Sequence, residues 1–389
     1  MTTRAGVEVE GAAAGGARVV DGAVRDCAYV NSSDGTTAIH VAADGKLSAG
    51  AKLTQTGFKA NWESLKANEQ SGLLAGYESL GSTIAVADVS KGCKNPVFLA
   101  NLRIPSSALG ESLGHSGNFN PDGTIYYPTS LFTLDVSAVD LKDPKKPVVI
   151  AHDFAGLPSH DLFIGKGGTR AYMASAKDLG QPGDPKQVGS VAIMDTSEIE
   201  ARKPEAKATL VKLITWEDGN ATQSPIAVTY RGKDHLIISD ELGSGSCGDP
   251  TNPIWGYARI LDISDERDPK TVALVRTEAQ HPDFCDSPAQ AEPGAVGFGV
   301  GTHYCNVDRL DDPRVLACGN WAAGLRVYDI RNPWQPKELA YYSIKSEEAA
   351  GRPQIVVDKR EIWFATTPGA FYVVKIRAGT PLDEILAGP

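Results

Sequence analysis

Long apolar runs are missing from this chain. No stretch approaches the roughly 18 residues that cross a bilayer as a helix, so a helical membrane span is not expected. Methionine is scarce, at three residues, and aromatics make up only 7 %. Extended helical periodicity is almost absent, which leaves strands and turns as the main material. Positive charge is also short: 38 Lys and Arg stand against 48 Asp and Glu, a formal net charge of −10. Nucleic acids and anionic membranes need a basic footprint, and neither is expected as a partner. The signatures H-E-x-x-H and the phosphate loop do not occur. Residues Met1 to Ala17 lack the basic and apolar regions of a secretory leader.

What is present is repetition. A short apolar strand ending in an acidic turn recurs as Ala85-Val86-Ala87-Asp88, Leu134-Asp135-Val136-Ser137, Met194-Asp195-Thr196-Ser197, Leu261-Asp262-Ile263-Ser264 and Tyr328-Asp329-Ile330-Arg331. Degenerate copies stand at Ile39-His40-Val41-Ala42 and Val374-Lys375-Ile376-Arg377, and the spacings run from 46 to 67 residues. That length suits one four-stranded blade. Hairpin turns such as Asp122-Gly123 and Gly167-Gly168 precede the endings, glycine supplying the positive φ that tight turns need. Seven such units predict an all-β fold, a seven-bladed β-propeller of four-stranded antiparallel blades over residues 17–377. Residues 1–16 are expected as a flexible segment and 378–389 as a tail. Val7-Glu8-Val9-Glu10 alternates apolar and acidic residues and is the candidate closing strand at 7–10; Pro381 to Leu386 is its rival.

The stretch Gly324-Leu325-Arg326-Val327-Tyr328-Asp329-Ile330-Arg331-Asn332-Pro333, with Pro336-Lys337-Glu338 after it, resembles the LVIVD-repeat β-propeller family. The resemblance spans about residues 17 to 377 and implies the fold far more than an activity. More distantly the chain is similar to the selenium-binding-protein/methanethiol-oxidase propellers, a resemblance that implies copper chemistry in some members.

Aligned on their hairpin turns, His115, His160 and His303 each lie eight residues before the turn, and Ser224 takes that count in the fifth blade. Inner strands line a propeller's channel, so these side chains are expected to converge at one mouth. Imidazole suits copper, iron and zinc, and three histidines leave coordination positions open. Copper or iron is the expected cofactor, and a nucleotide is not. Asp161, Asp240 and Glu241 are candidate acid–base or orienting groups. Trp62, Glu63, Trp255, Phe298, Asn320, Trp321 and Arg352 are candidate substrate-binding residues on the same rim. The longest connections, Ala176–Ser190, Leu242–Tyr257 and Glu278–Gly299, are expected on that face, where long loops usually carry function.

Six cysteines fall into pairs on the blade map: Cys247 with Cys285, Cys305 with Cys318 and Cys27 with Cys93. Three disulfides are expected, and with them an oxidising, exported location. Three functions fit these residues. The first is a transition-metal enzyme, oxidoreductase-like, acting on a small organic substrate. The second is a metal-free cyclase or isomerase working through His, Asp and Glu. The third is a non-catalytic extracellular binding propeller. The sequence leaves the oligomeric state open.

Overall fold

The computed structural model describes residues 2–3, 7–8, 16–21, 25–106, 110–131, 133, 135–152, 154–175, 188–242, 255–281, 299–367 and 369–388. Seven four-stranded antiparallel sheets follow one another along the chain as the blades of a propeller. Blade one runs outward from the axis as Gly16–Asp21, Arg25–Ser32, Gly35–Val41 and Leu47–Leu53. The inner strands of blades two to seven are Lys66–Asn68, Ser116–Phe119, Leu162–Gly165, Asn220–Tyr230, Cys305–Val307 and Gln354–Val356.

Each blade is apolar on both faces, as a sheet sandwiched between neighbours must be. Ile125, Tyr127, Val136 and Ala138 of blade three pack with Leu162, Ile164, Ala171 and Met173 of blade four. The outermost strands lie at the surface; in Val97–Arg103 no residue is fully buried, and Leu99 and Leu102 pack half-buried against the core.

The third strands end in a shared turn. Asp88, Asp140, Asp195, Asp262 and Asp329 each accept the backbone N–H two residues on, at 2.8–3.1 Å. This is the Asx-turn geometry that lets the chain leave the sheet. It corrects the repeat boundary expected at Leu134-Asp135. The strand of blade three is Ser137–Asp140, so Asp140 holds the repeat position. Asp135 is buried and faces His152 at 3.6 Å.

Blade seven draws its outer strand from the other end of the chain. Val7 and Glu8 pair with Phe371 and Ala370, and Thr2 and Thr3 with Lys375 and Val374. Pro381 to Leu386 is not a strand. It lies in the helix Pro381–Ala387, started by proline in the first turn and by the Thr380 hydroxyl accepting from Asp383 N–H. Its residues Leu382, Ile385 and Leu386 are buried with Val315, Val327 and Phe364.

Two disulfides lie among the described residues. Cys27–Cys93 ties blade one to the connection after the third strand of blade two, and Cys305–Cys318 joins facing strands of blade six. Cys247 and Cys285 lie outside the described residues, as do most of the three long connections. The two bonds are compatible with an oxidising compartment. No helix of the described residues is long and apolar enough to cross a membrane.

Candidate metal and acid–base site

One backbone device recurs at the start of the inner strands. In blade four the His160 N–H donates to the Ala174 carbonyl, while the Ala174 N–H donates to the Asp161 carbonyl. Two residues therefore face one, a β-bulge, which twists the strand and re-aims the first side chain. Blade six repeats it, with His303 and Tyr304 opposite Gly319. In blade three His115 and Ser116 face Thr129. In blade five the register shifts between Thr222 and Pro225, so Gln223 and Ser224 share Ser239. Blade two follows the same count. Lys66 pairs with Ala75, the Ser64 hydroxyl bonds the backbone of Tyr77, and Glu63 precedes it. In blade seven Gly351 N–H donates to the Ala365 carbonyl, with Arg352 next.

The first bulge positions of blades two to six thus carry Glu63, His115, His160, Gln223 and His303. This moves the fifth member of the register from Ser224 to Gln223. Counting back from glycine fails there because blade five closes with a two-residue Arg231-Gly232 turn, both at positive φ. Blade four uses a four-residue turn between Gly165 and Arg170.

Four of these side chains meet. His115 Nε2 lies 2.9 Å from His160 Nε2 and 3.1 Å from Glu63 Oε2. His160 Nδ1 is 3.5 Å from the same oxygen, and His303 Nε2 is 2.9 Å from Glu63 Oε1. Glu63 is the hub, and the Tyr304 hydroxyl donates to its Oε2 at 3.0 Å. A second carboxylate, Glu241, approaches His303 Nε2 at 3.3 Å and accepts from Trp321 Nε1 at 3.2 Å. All of these groups are buried.

Two aromatic walls hold the rings. Trp321 stacks on His303 with centroids 4.1 Å apart, and Trp62 meets His115 edge-on at 5.8 Å. Both tryptophans have positive φ, 37° and 25°, a conformation L-residues avoid unless their surroundings enforce it.

Charge in the cluster is divided unevenly. Burial brings His160 down to about 3, so its ring is neutral near pH 7. Burial opposes ionisation of Glu63 too, but the imidazoles of His160, His115 and His303 override it and hold the carboxyl well below the usual range. Burial, and then the charge of Glu63, push Glu241 well above it. The two neighbouring carboxyls are thus driven in opposite directions, Glu63 towards its ionised form and Glu241 towards its protonated one.

Below this ring the second bulge residues of blades four and seven, Asp161 and Arg352, meet beside Lys66 of the inner strand of blade two. Arg352 donates to Asp161 Oδ2 at 2.7 Å, and Lys66 lies 4.0 Å from the same oxygen. Asp161 Oδ1 accepts from Leu162 N–H at 2.8 Å. Asp161 thus neutralises two cations and does not orient an imidazole, contrary to the sequence expectation. Burial lowers Lys66 to about 8.

Asp240 also departs from expectation. It accepts from Thr222, Trp216 and Arg259 at 2.8–3.2 Å and forms a buried ion pair inside blade five. Its oxygens are committed, while its neighbour Glu241 faces the cluster. Asn320 donates to Thr302 at 2.9 Å and shapes the turn that carries Trp321. Trp255 packs against Val300 and Ala323. Phe298 lies outside the described residues. Lys66, Tyr304 and Gln223 were not singled out from the sequence. Tyr304 and Asp161 hold the same place after a register histidine, a parallel that gave a usable signal.

The far ends of the inner strands differ. There a cavity of about 630 Å³ is lined by Asn68, Asn118, Phe119, Phe163, Val228 and His235, among others.

No family model matches the chain, and no curated protein does. Solved structures do. Hydrazine synthase from Kuenenia stuttgartiensis superposes with a TM-score of 0.60 at 11 % identity, covering 92 % of this chain and 95 % of that one. A putative 6-phosphogluconolactonase from Bacteroides fragilis gives 0.60 at 10 %, with 86 % and 84 % covered. The periplasmic gluconolactonase of Pseudomonas aeruginosa gives 0.55 at 12 %, with 85 % and 86 % covered. The likeness is one of fold.

Proposed function

We propose that this propeller is a metal-dependent enzyme, oxidoreductase-like, acting on a small organic substrate at the mouth where Glu63, His115 and His160 meet. The observation that carries the reading is the donor set itself. One carboxylate oxygen and two imidazole nitrogens, all buried, lie within 4.8 Å of one another. Ligands about 2.1 Å from a common ion stand about 3.0 Å apart at right angles and about 3.4 Å apart in a tetrahedron. The His115 Nε2–His160 Nε2 and His115 Nε2–Glu63 Oε2 separations, 2.9 and 3.1 Å, fall near the first of those values, while the 3.5 Å approach to Glu63 is made by the other ring nitrogen of His160, Nδ1. Two imidazole nitrogens 2.9 Å apart also need a proton or a cation between them.

Two histidines and one carboxylate with open positions suit non-haem iron, and the oxygen donor favours iron over copper here. His303 fits as a supporting group. Its Nδ1–H donates to the Ala350 carbonyl at 2.6 Å, which leaves Nε2 facing Glu63 and Glu241. A backbone bond of this kind fixes the tautomer of a ring in or beside a metal set. Bound iron would supply a Lewis-acidic, redox-capable centre with positions free for substrate. Trp62 and Trp321 would wall that space, and Glu241 would hold a proton beside it. Membership of the LVIVD group belongs to the same proposal.

One observation favours a second reading, a metal-free acid–base enzyme. His303 Nε2 stands between Glu63 and Glu241 at 2.9 and 3.3 Å, a carboxylate–imidazole–carboxyl relay complete without an ion.

Metal content separates the two. Full-length protein loaded anaerobically with ferrous iron and desalted should retain about one equivalent by elemental analysis. Glu63→Ala, His115→Ala and His160→Ala should each lower retention at least tenfold. Retention near zero in the wild type, or unchanged in all three variants, would remove the metal reading and leave the relay.

A further inference from the structure

Gln223 stands apart among the buried polar residues. Its side chain is fully buried, yet neither Oε1 nor Nε2 has a hydrogen-bond partner. Buried amides are nearly always satisfied, because an unmet donor or acceptor loses its hydrogen bonds to water and gains none in return. The same bulge holds two more unmet groups, the buried hydroxyls of Ser224 and of Ser239 opposite. Position sharpens the contrast. Gln223 takes in blade five the place that Glu63, His115, His160 and His303 take in theirs, and its backbone lies against the His160 ring. Four of the five side chains in that register are joined to one another, and the fifth is left with a free donor and a free acceptor.

We propose that Gln223 is the ligand-positioning residue of this mouth. Its amide holds an oxygen-bearing or anionic ligand, donating from Nε2 and accepting at Oε1, beside the Glu63–His115–His160 group. The ligand class is one that offers an acceptor and a donor together, such as a hydroxy acid, a carboxylic acid or a bound water. Ser224 and Ser239 extend the polar strip for a further hydroxyl. This inference rests on the metal reading, and its test is built to fail separately.

The test uses full-length protein loaded with one equivalent of iron and oxidised to the ferric state. Azide serves as the anionic probe, followed by its charge-transfer absorption. Gln223→Leu should retain iron like the wild type and raise the azide Kd at least tenfold. Gln223→Glu, which puts an acceptor where the donor was, should weaken azide further. The metal-free Gln223→Leu protein should melt at or above the wild-type temperature, since it exchanges an unsatisfied amide for an apolar group. A residue with a purely structural role would lower the melting temperature and leave the azide Kd alone. Should Gln223→Leu fail to fold, Gln223→Met of similar length carries the same expectations. An azide Kd within twofold of wild type, with iron retained, overturns the role of Gln223 and leaves the metal centre standing. Failure of the wild type to retain iron overturns both.

Discussion

At the outer end of the third strands the same residue returns blade after blade. At the start of the inner strands only the backbone does. Five aspartates close five third strands through one turn, and each serves its own blade. The inner bulge is equally regular in its hydrogen bonds, but its side chains are Glu63, His115, His160, Gln223 and His303, which meet across blades. A repeated residue on a repeated backbone builds the scaffold. Varied residues on a repeated backbone build one asymmetric site from nearly symmetric parts. Asp240 and Glu241 compress the contrast into neighbours, one locked to Arg259 within its blade and the other against His303.

The contrast can be sharpened through pH. His160 is lowered from 6.5 to about 3 by burial. Between those values the unfolded chain takes up a proton that the folded protein refuses. Stability of the metal-free protein therefore falls as pH drops below about 6.5, by up to about 1.4 kcal/mol per pH unit for this ring. By pH 5 the ring's share is about 2 kcal/mol. Urea unfolding at pH 7, 6 and 5 should show that slope in the wild type and lose that share of it in His160→Gln. Equal slopes would mean that the imidazole is not desolvated as the geometry requires.

The contrast can be broken, with a smaller effect, at the outer turn. Asp195→Ala removes the acceptor for Ser197 N–H and Oγ and should cost about 1 kcal/mol, read as a lower denaturation midpoint. Metal retention should not change. Lost retention would show that the two repeats are coupled and that the division of duties is false.

Much of this was legible in the sequence because a repeat declares itself. The third-strand endings gave the blade count, and paired cysteines in blades one, two and six gave the two bonds described. His115, His160 and His303 shared one count from their turns because the inner strand runs the same distance from each histidine to its turn. The count misplaced the fifth member, since a longer inner strand and a shorter turn together shift Gln223 by one residue without any mark in composition. Asp135 imitated the repeat acid of Asp140 because both follow apolar residues. Asp161 and Asp240 looked like acid–base candidates from their neighbours, but a carboxylate's duty depends on which cation reaches it. Arg352 reaches Asp161 from blade seven, and Arg259 reaches Asp240 from the next strand of the same blade. Glu63 was placed on the rim and proved to be the hub, a role that only the convergence of four blades defines.

X-ray absorption at the iron edge of the reconstituted full-length protein tests the central claim most directly. The account predicts a first shell of nitrogen and oxygen at about 2.0–2.2 Å, with the outer-shell scattering of two or more imidazoles that weakens in both His115→Ala and His160→Ala. A shell of oxygen alone, without imidazole scattering and indifferent to either substitution, would contradict it.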